Sequence, residues 1–231
     1  MTAMVERFLR QKFEGPLGVV TLAVLALLVS TPPALSAGPA RLVALLLIAS
    51  GAVSRDASSG ALQIILARPI SRTEYLGGRL LGVMAAYAIF LAAATIFAFL
   101  LSFQLGNMAA LLSPALLRAL AGALLDGLQI TALLLFFSTF LPSYGDALGY
   151  LSLWIVFSAA DGFGTALGRG GLAKTARTAQ ENLLPTVQWN AVLSGRDVPT
   201  EALGRWALAV TLCFVLAAVV LSRREFAYGQ D

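Results

Sequence analysis

Residues 55–79 read RDASSGALQIILARPISRTEYLGGR, a charged interlude between two strongly apolar runs. Within it, Leu62, Ile65 and Leu66 fall at i, i+3 and i+4, which predicts a short helix with one apolar stripe. Arg68 precedes Pro69, and a residue before proline is biased away from helix, so that helix is expected to stop there. Ser71-Arg72-Thr73-Glu74 then has the Ser-x-x-Glu form of a capping box. Ser71 would accept from the first-turn backbone, and Glu74 would reach back to the Ser71 amide. A new helix is predicted from Tyr75 into the next apolar run, where Gly77, Gly78 and Gly82 allow close approach of a neighbour. Ordinary connections run to about 4–6 residues. This one is much longer and locally well specified, so it is read as an element presented to a partner rather than as a plain loop.

Outward from this stretch the chain is apolar. Of its 231 residues, 58% are hydrophobic and 12% charged, and the mean hydropathy is +0.83. A soluble domain carries about 25% charged residues, so most of this surface must face lipid or other helices. A crossing of the hydrocarbon core needs about 20 mostly apolar residues. Six spans are expected on that rule, over residues 16–35, 39–54, 79–103, 115–141, 147–167 and 203–222. The fold class is thus an all-α integral membrane protein, read as one transmembrane domain over residues 1–231. No cleavable signal peptide is expected, because the first apolar run is span-length and lacks a small-x-small cleavage site.

Ahead of the first span, Met4, Val5, Phe8, Leu9 and Phe13 recur at helical spacing opposite Glu6, Arg7, Arg10 and Gln11. Residues 1–15 therefore read as an amphipathic helix lying at the interface. The segment 168–203 mixes apolar and polar residues around Pro185, Trp189 and Pro199, too broken for a span. Short re-entrant or interfacial helices are expected there, with Trp189 and Trp206 as interface anchors.

Basic residues set the expected orientation. With the N-terminus inside, the cytoplasmic side holds Arg7, Arg10, Lys12, Arg55, Arg68, Arg72, Arg79, Arg223 and Arg224, while the short opposite loops hold only Arg41 and Arg118. Both termini are therefore expected inside. The external loop 168–205 runs against the bias, with Arg169, Lys174, Arg177, Arg196 and Arg205, but it also contains Glu181, Asp197 and Glu201, and long loops count for little in this rule.

Several function classes are excluded. The chain has no histidine and one cysteine, Cys213, within an apolar run. No intrachain disulfide can form, no metal cluster is expected, and the commonest general base is missing. No nucleophile–base pair or cluster of metal ligands stands out, so no catalytic residue is assigned and an intramembrane enzyme is set aside. The only lysines are Lys12 and Lys174, neither in a glycine-rich phosphate loop, so no nucleotide site is expected in this chain. The net charge of +4 belongs to loops beside spans and is no sign of nucleic-acid binding.

The 55–79 stretch resembles the signature region of the type-2 ABC permease family. The resemblance lies in Asp56, Gly60-Ala61, the apolar run Leu62 to Leu66, Ala67-Arg68-Pro69-Ile70-Ser71-Arg72, and Tyr75-Leu76-Gly77-Gly78-Arg79. Ala61 stands where threonine is usual, and Asp56 and Ser58 where glutamates are common. The terminal Leu221-Ser222-Arg223-Arg224-Glu225-Phe226 is similar to the end of the family's last span. The resemblance implies a cytoplasmic coupling helix, within residues 55–78, docked on a separate ABC ATPase that carries the ATP and Mg. It implies a second permease subunit, identical or different, and a lipid bilayer as surroundings. The implied location is the cytoplasmic membrane of a bacterium, and the implied activity is transport, with export as the direction. On that resemblance the coupling contacts fall on Arg55, Asp56, Gly60, Leu62, Ile65, Arg68, Pro69, Ile70, Ser71, Arg72, Glu74 and Tyr75.

Three polar residues fall inside expected spans. Asp126 lies near the middle of the fourth, with Gln129 one turn on along the same face, and Asp161 lies towards the outer end of the fifth. An ionisable residue at the bilayer centre costs about 2.5–3.5 kcal/mol on insertion scales, so each is a candidate for a translocation path or gate. The alternatives are an interhelical hydrogen bond or, for Asp161, a helix end in water. No arginine is expected deep enough to pair with Asp126, which favours a neutral carboxyl. The competing reading is a gradient-driven secondary transporter, which would use such a midplane carboxyl, or another polytopic membrane protein without an ATPase.

Overall fold

The computed structural model describes residues 39–67, 70–104, 114–142, 144–195 and 199–223, with isolated positions 6, 23, 24 and 26. Apart from those isolated positions, the expected interfacial helix over 1–15 and the expected first span lie outside the described residues, as do Arg68 and Pro69. Among the described residues the chain is helical, with no strand. We number the helices α1 (Pro39–Ala49), α2 (Ser54–Ser58), α3 (Ala61–Leu66), α4 (Arg72–Gln104), α5 (Pro114–Ser138), α6 (Gly145–Ala166), α7 (Gly170–Leu183), α8 (Trp189–Leu193) and α9 (Thr200–Arg223).

Four of these, α4, α5, α6 and α9, are long and apolar enough to cross a membrane. They fall on the third to sixth expected spans. The shortest, α6, has 22 residues; at about 1.5 Å per residue it exceeds the roughly 30 Å hydrocarbon core. On the second expected span stands α1, which ends at Ala49 after 11 described residues. Gly51 then turns the chain with φ +71°, a left-handed conformation that glycine adopts without steric cost. The segment 168–203 contains α7 and α8, neither of span length.

The chain clusters into two units, residues 1–49, 77–131 and 188–198 in the first and residues 50–76, 132–187 and 199–231 in the second. In the first unit, α1, most of α4, the first part of α5 and α8 bury Ala44, Leu45, Val83, Tyr87 and Ala123. Small residues decide how closely these helices approach. A Cβ at Gly122 would stand 2.8 Å from the Trp189 Cβ, and one at Gly127 would stand 2.7 Å from the Tyr87 ring. Both glycines are therefore seats for a bulky ring from another helix.

In the second unit, α6 and α7 form a helical hairpin. Leu167 and Gly168 close α6 with backbone bonds to Phe163 and Thr165, and Gly168 takes φ +65° just past the helix end. The chain then runs back so that Ala173 packs on Gly164 and the Arg177 Nε lies 2.7 Å from the Asp161 carboxylate. Ala173 and Ala176 are buried, while most other residues of α7 are exposed.

The Gly164 contact yields a test. A Cβ there would come 2.7 Å from the backbone nitrogen of Ala173, which cannot rotate away, whereas one at Gly162 meets nothing within 4 Å. Gly164→Val is expected to destabilise the hairpin by about 1–3 kcal/mol, the usual cost of overpacking. Gly162→Val should leave thermal unfolding in detergent close to that of the parent chain. Equal unfolding of the two variants would refute the close α6–α7 packing.

Candidate functional site

The 55–79 stretch folds much as its residues dictate. Helix α3 buries Leu62 completely and leaves Ile65 half-buried, while Ile64 is 70% exposed. The capping box forms: the Ser71 backbone N–H donates to Glu74 Oε2 at 2.8 Å, and the Glu74 N–H donates to Ser71 Oγ at 3.2 Å. Gly60 takes φ +71° just past α2, so its role is to end one helix before the next begins.

The inward residues tie this element to the rest of the second unit. The Tyr75 hydroxyl donates to Asp56 Oδ2 at 2.7 Å, and both residues are buried. Arg72 donates to the carbonyls of Leu221, at 2.6 Å, and Ser222 at the end of α9. Terminal carbonyls have no partner within their own helix, so Arg72 caps α9 from another element. The Arg55 guanidinium lies 4.9 Å from the centre of the Tyr144 ring, within cation–π range.

Two residues absent from the sequence-based site complete this mount. Asp146, in the first turn of α6, is fully buried. Its Oδ1 accepts from Ser50 Oγ at 2.9 Å and from the Ala147 N–H at 2.8 Å, and its Oδ2 accepts from the Gly51 N–H at 2.7 Å. Ser138, the last residue of α5, accepts through Oγ from the N–H groups of Val53 and Ser54 at 3.1 and 3.0 Å. Those amides open α2, whose N-cap residue Val53 offers no side-chain cap; Ser138 supplies it from another helix. The available signal was weak: an aspartate at the start of a predicted helix reads as an ordinary first-turn acid.

The residues of the segment thus divide. Asp56, Leu62, Tyr75 and Arg72 hold the element in place, and Ile64, Ala67, Ser71, Thr73 and Glu74 face outward. Ile70 is half-buried. All the contacts above lie at the α4 start, the α5 end, the α6 start and the α9 end.

The expected intraspan site is built differently. Asp126 lies midway along α5, and its Oδ2 is 3.3 Å from the Arg41 guanidinium of α1, whose side chain is 14% exposed. The other oxygen, Oδ1, accepts from the Trp189 indole N–H at 2.6 Å. The expectation that no arginine reaches Asp126 is therefore corrected. Arg41 was counted as a loop residue, but its long side chain carries the charge inward along apolar surface. Trp189 is likewise no interface anchor: it is buried over Gly122 and hydrogen-bonded to Asp126. Gln129 is buried on the same face of α5. Asp161 is not part of this group and pairs with Arg177 on an exposed surface, where an ion pair contributes at most about 1 kcal/mol.

Four apolar crossings with polar contacts buried between helices define a multi-pass membrane protein. A sequence profile described as ABC-2 family transporter protein matches residues 41–165, more than half of the chain, and the chain belongs to that family. The matched span includes the whole 55–79 stretch, Asp126 and Asp146. The family's membrane proteins are transport components, generally non-catalytic, and generally work with an ABC ATPase. No curated protein matches the chain.

The Arg41–Asp126 pair can be tested by a double-mutant cycle. Arg41→Met and Asp126→Leu should each destabilise the protein, because each leaves a part-buried charge behind. The double variant should recover part of the loss, with a coupling of about 0.5–3 kcal/mol in unfolding by denaturing detergent. Strict additivity would mean that the two side chains do not pair in the membrane.

Proposed function

We propose that this chain is the membrane-spanning permease subunit of an ABC transporter, driven by a separate ATPase docked on residues 55–79. The observation that carries the reading is the division of that stretch. Its buried side chains fasten it to the helix ends, and its outward side exposes Ile64 together with Ala67, Ser71, Thr73 and Glu74. Short helices of five and six residues are unstable alone. Held this way, they can receive force from a soluble partner and pass it to the spans.

On this reading the 55–79 stretch, the end of α9 and both chain termini are cytoplasmic, in a bacterial inner membrane, and six spans form half of a pathway completed by a second permease subunit. The contact of Arg72 with Leu221 and Ser222 supports a shared side for the stretch and the end of α9. ATP and Mg belong to the partner ATPase. The direction is export, by analogy with the family. The gradient-driven alternative gains nothing from Asp126, whose two oxygens are engaged by Arg41 and Trp189.

The test is co-purification. The tagged chain, extracted gently from its native membrane, should bring with it an ATPase bearing a phosphate-binding loop. Ile64→Asp alters an exposed position, so insertion and folding should be preserved. It would place a carboxylate in an apolar contact, at a cost of about 1–3 kcal/mol, a loss of roughly 5- to 150-fold in affinity for the ATPase. Recovery of no ATPase with the parent chain, under conditions that preserve known membrane complexes, would overturn the proposal.

A further inference from the structure

The contacts around Asp146 make one connected joint. Ser50 and Gly51 bind its carboxylate, and so does the first turn of α6 through Ala147. Two and three residues later, Val53 and Ser54 bind the last residue of α5. The chain entering the 55–79 stretch is thus gripped by the end of one span and the start of the next. The grip falls on residues 50, 51, 53 and 54, through one hydroxyl and three backbone N–H groups. Arg55 extends it by lying over Tyr144, in the turn between α5 and α6.

The chemistry makes this joint stiff. A buried carboxylate that lost its donors would stand unsolvated, a cost of several kcal/mol, so the donors and the carboxylate must move together. The hydroxyl of Ser138 stands in the same relation to the amides of α2. A side chain at Gly51 would be strained at φ +71° and would meet the Arg55 side chain at 2.7 Å, so the turn is closely fitted as well as bonded. Neither Asp146 nor Ser138 lies in the 55–79 stretch.

We propose that Asp146 and Ser138 are positioning residues that lock the 55–79 stretch to α5 and α6, so that displacement of the stretch by its partner is passed directly to those two spans. The proposal rests on the coupling role argued above, and its test separates the two. It requires that the stretch and the start of α6 move as one body during the ATPase cycle, and that loosening the joint breaks the transmission without releasing the partner.

The test is a distance measurement in the complex purified with its ATPase. Cysteines replace Ser58, at the end of α2 and outside the proposed partner contacts, and Leu148, both exposed, in a Cys213→Ala background. They carry spin labels, and labelled chains are diluted with unlabelled ones. With the joint intact, the Ser58–Leu148 distance should be narrow and unchanged between the nucleotide-free state and ATP plus orthovanadate. In Ser138→Ala and in Asp146→Asn the ATPase should still co-purify and hydrolyse ATP, but the distance should broaden or shift when nucleotide is added. Should Asp146→Asn fail to fold, Ser50→Ala and Ser138→Ala, which remove single hydroxyls, carry the test. A parent distance that itself shifts with nucleotide overturns the joint, and so do variants that keep the narrow, unchanged distance. Absence of the ATPase from the parent complex overturns the coupling reading and the joint with it.

Discussion

A buried carboxylate with three fixed donors governs the second unit. Asp146 is inaccessible to solvent, yet it receives a hydroxyl and two backbone N–H groups. The constraint behind it is general. Where a chain turns at the edge of a bilayer, its free amides cannot be left bare, since each unsatisfied polar group costs several kcal/mol in an apolar medium. One aspartate meets that demand for two elements at once, the turn after α1 and the first turn of α6. Ser138 and Arg72 do the same for the start of α2 and the end of α9. Once these termini are capped across helices instead of within them, the short segments and the long spans share their polar contacts.

The Asp126 group obeys the same rule in a different setting. Amides midway along a helix are engaged in its own hydrogen bonds, and the donors that reach Asp126 are side chains of other elements. They come from α1 and α8, which are distant in sequence but belong to the same unit. The glycines at 122 and 127 flank it and admit Trp189 and Tyr87 at close range. Polar contacts of this kind contribute modestly to helix association in membranes, about 0.6 kcal/mol on average in one well-studied bundle. The Gly122 and Gly127 seats admit the rings that flank the ion pair.

Local features were legible in the sequence. The capping box at Ser71–Glu74, the short helix around Leu62 and the apolar spans after Arg79 all arise from residues three or four apart, where sequence spacing is spatial proximity. The partners of Asp126 and the whole of the Asp146 joint were not legible. Ser50 and Asp146 lie 96 positions apart, and Arg41 and Asp126 lie 85 apart. No periodicity links them, and each looks ordinary alone. Asp146 reads as a first-turn acid, Ser138 as a residue at the end of a span, and Trp189 as a membrane-interface ring. Arg41 was discounted because topology rules count charges by loop, not by where a long side chain ends.

The division of the 55–79 stretch follows from its shortness. Helices of five and six residues gain too little from their own hydrogen bonds to persist, and so depend on what they pack against. That dependence explains why so much of the stretch faces inward: Asp56, Leu62 and Tyr75 are buried, and Arg72 is committed to α9. It also limits what remains for recognition. On the proposed reading, the partner ATPase would meet the outward face around Ile64 and the capping box, and specificity would come from that face. On that reading, stiffness and recognition are divided between the two sides of one short element, and a substitution on one side should leave the other largely intact.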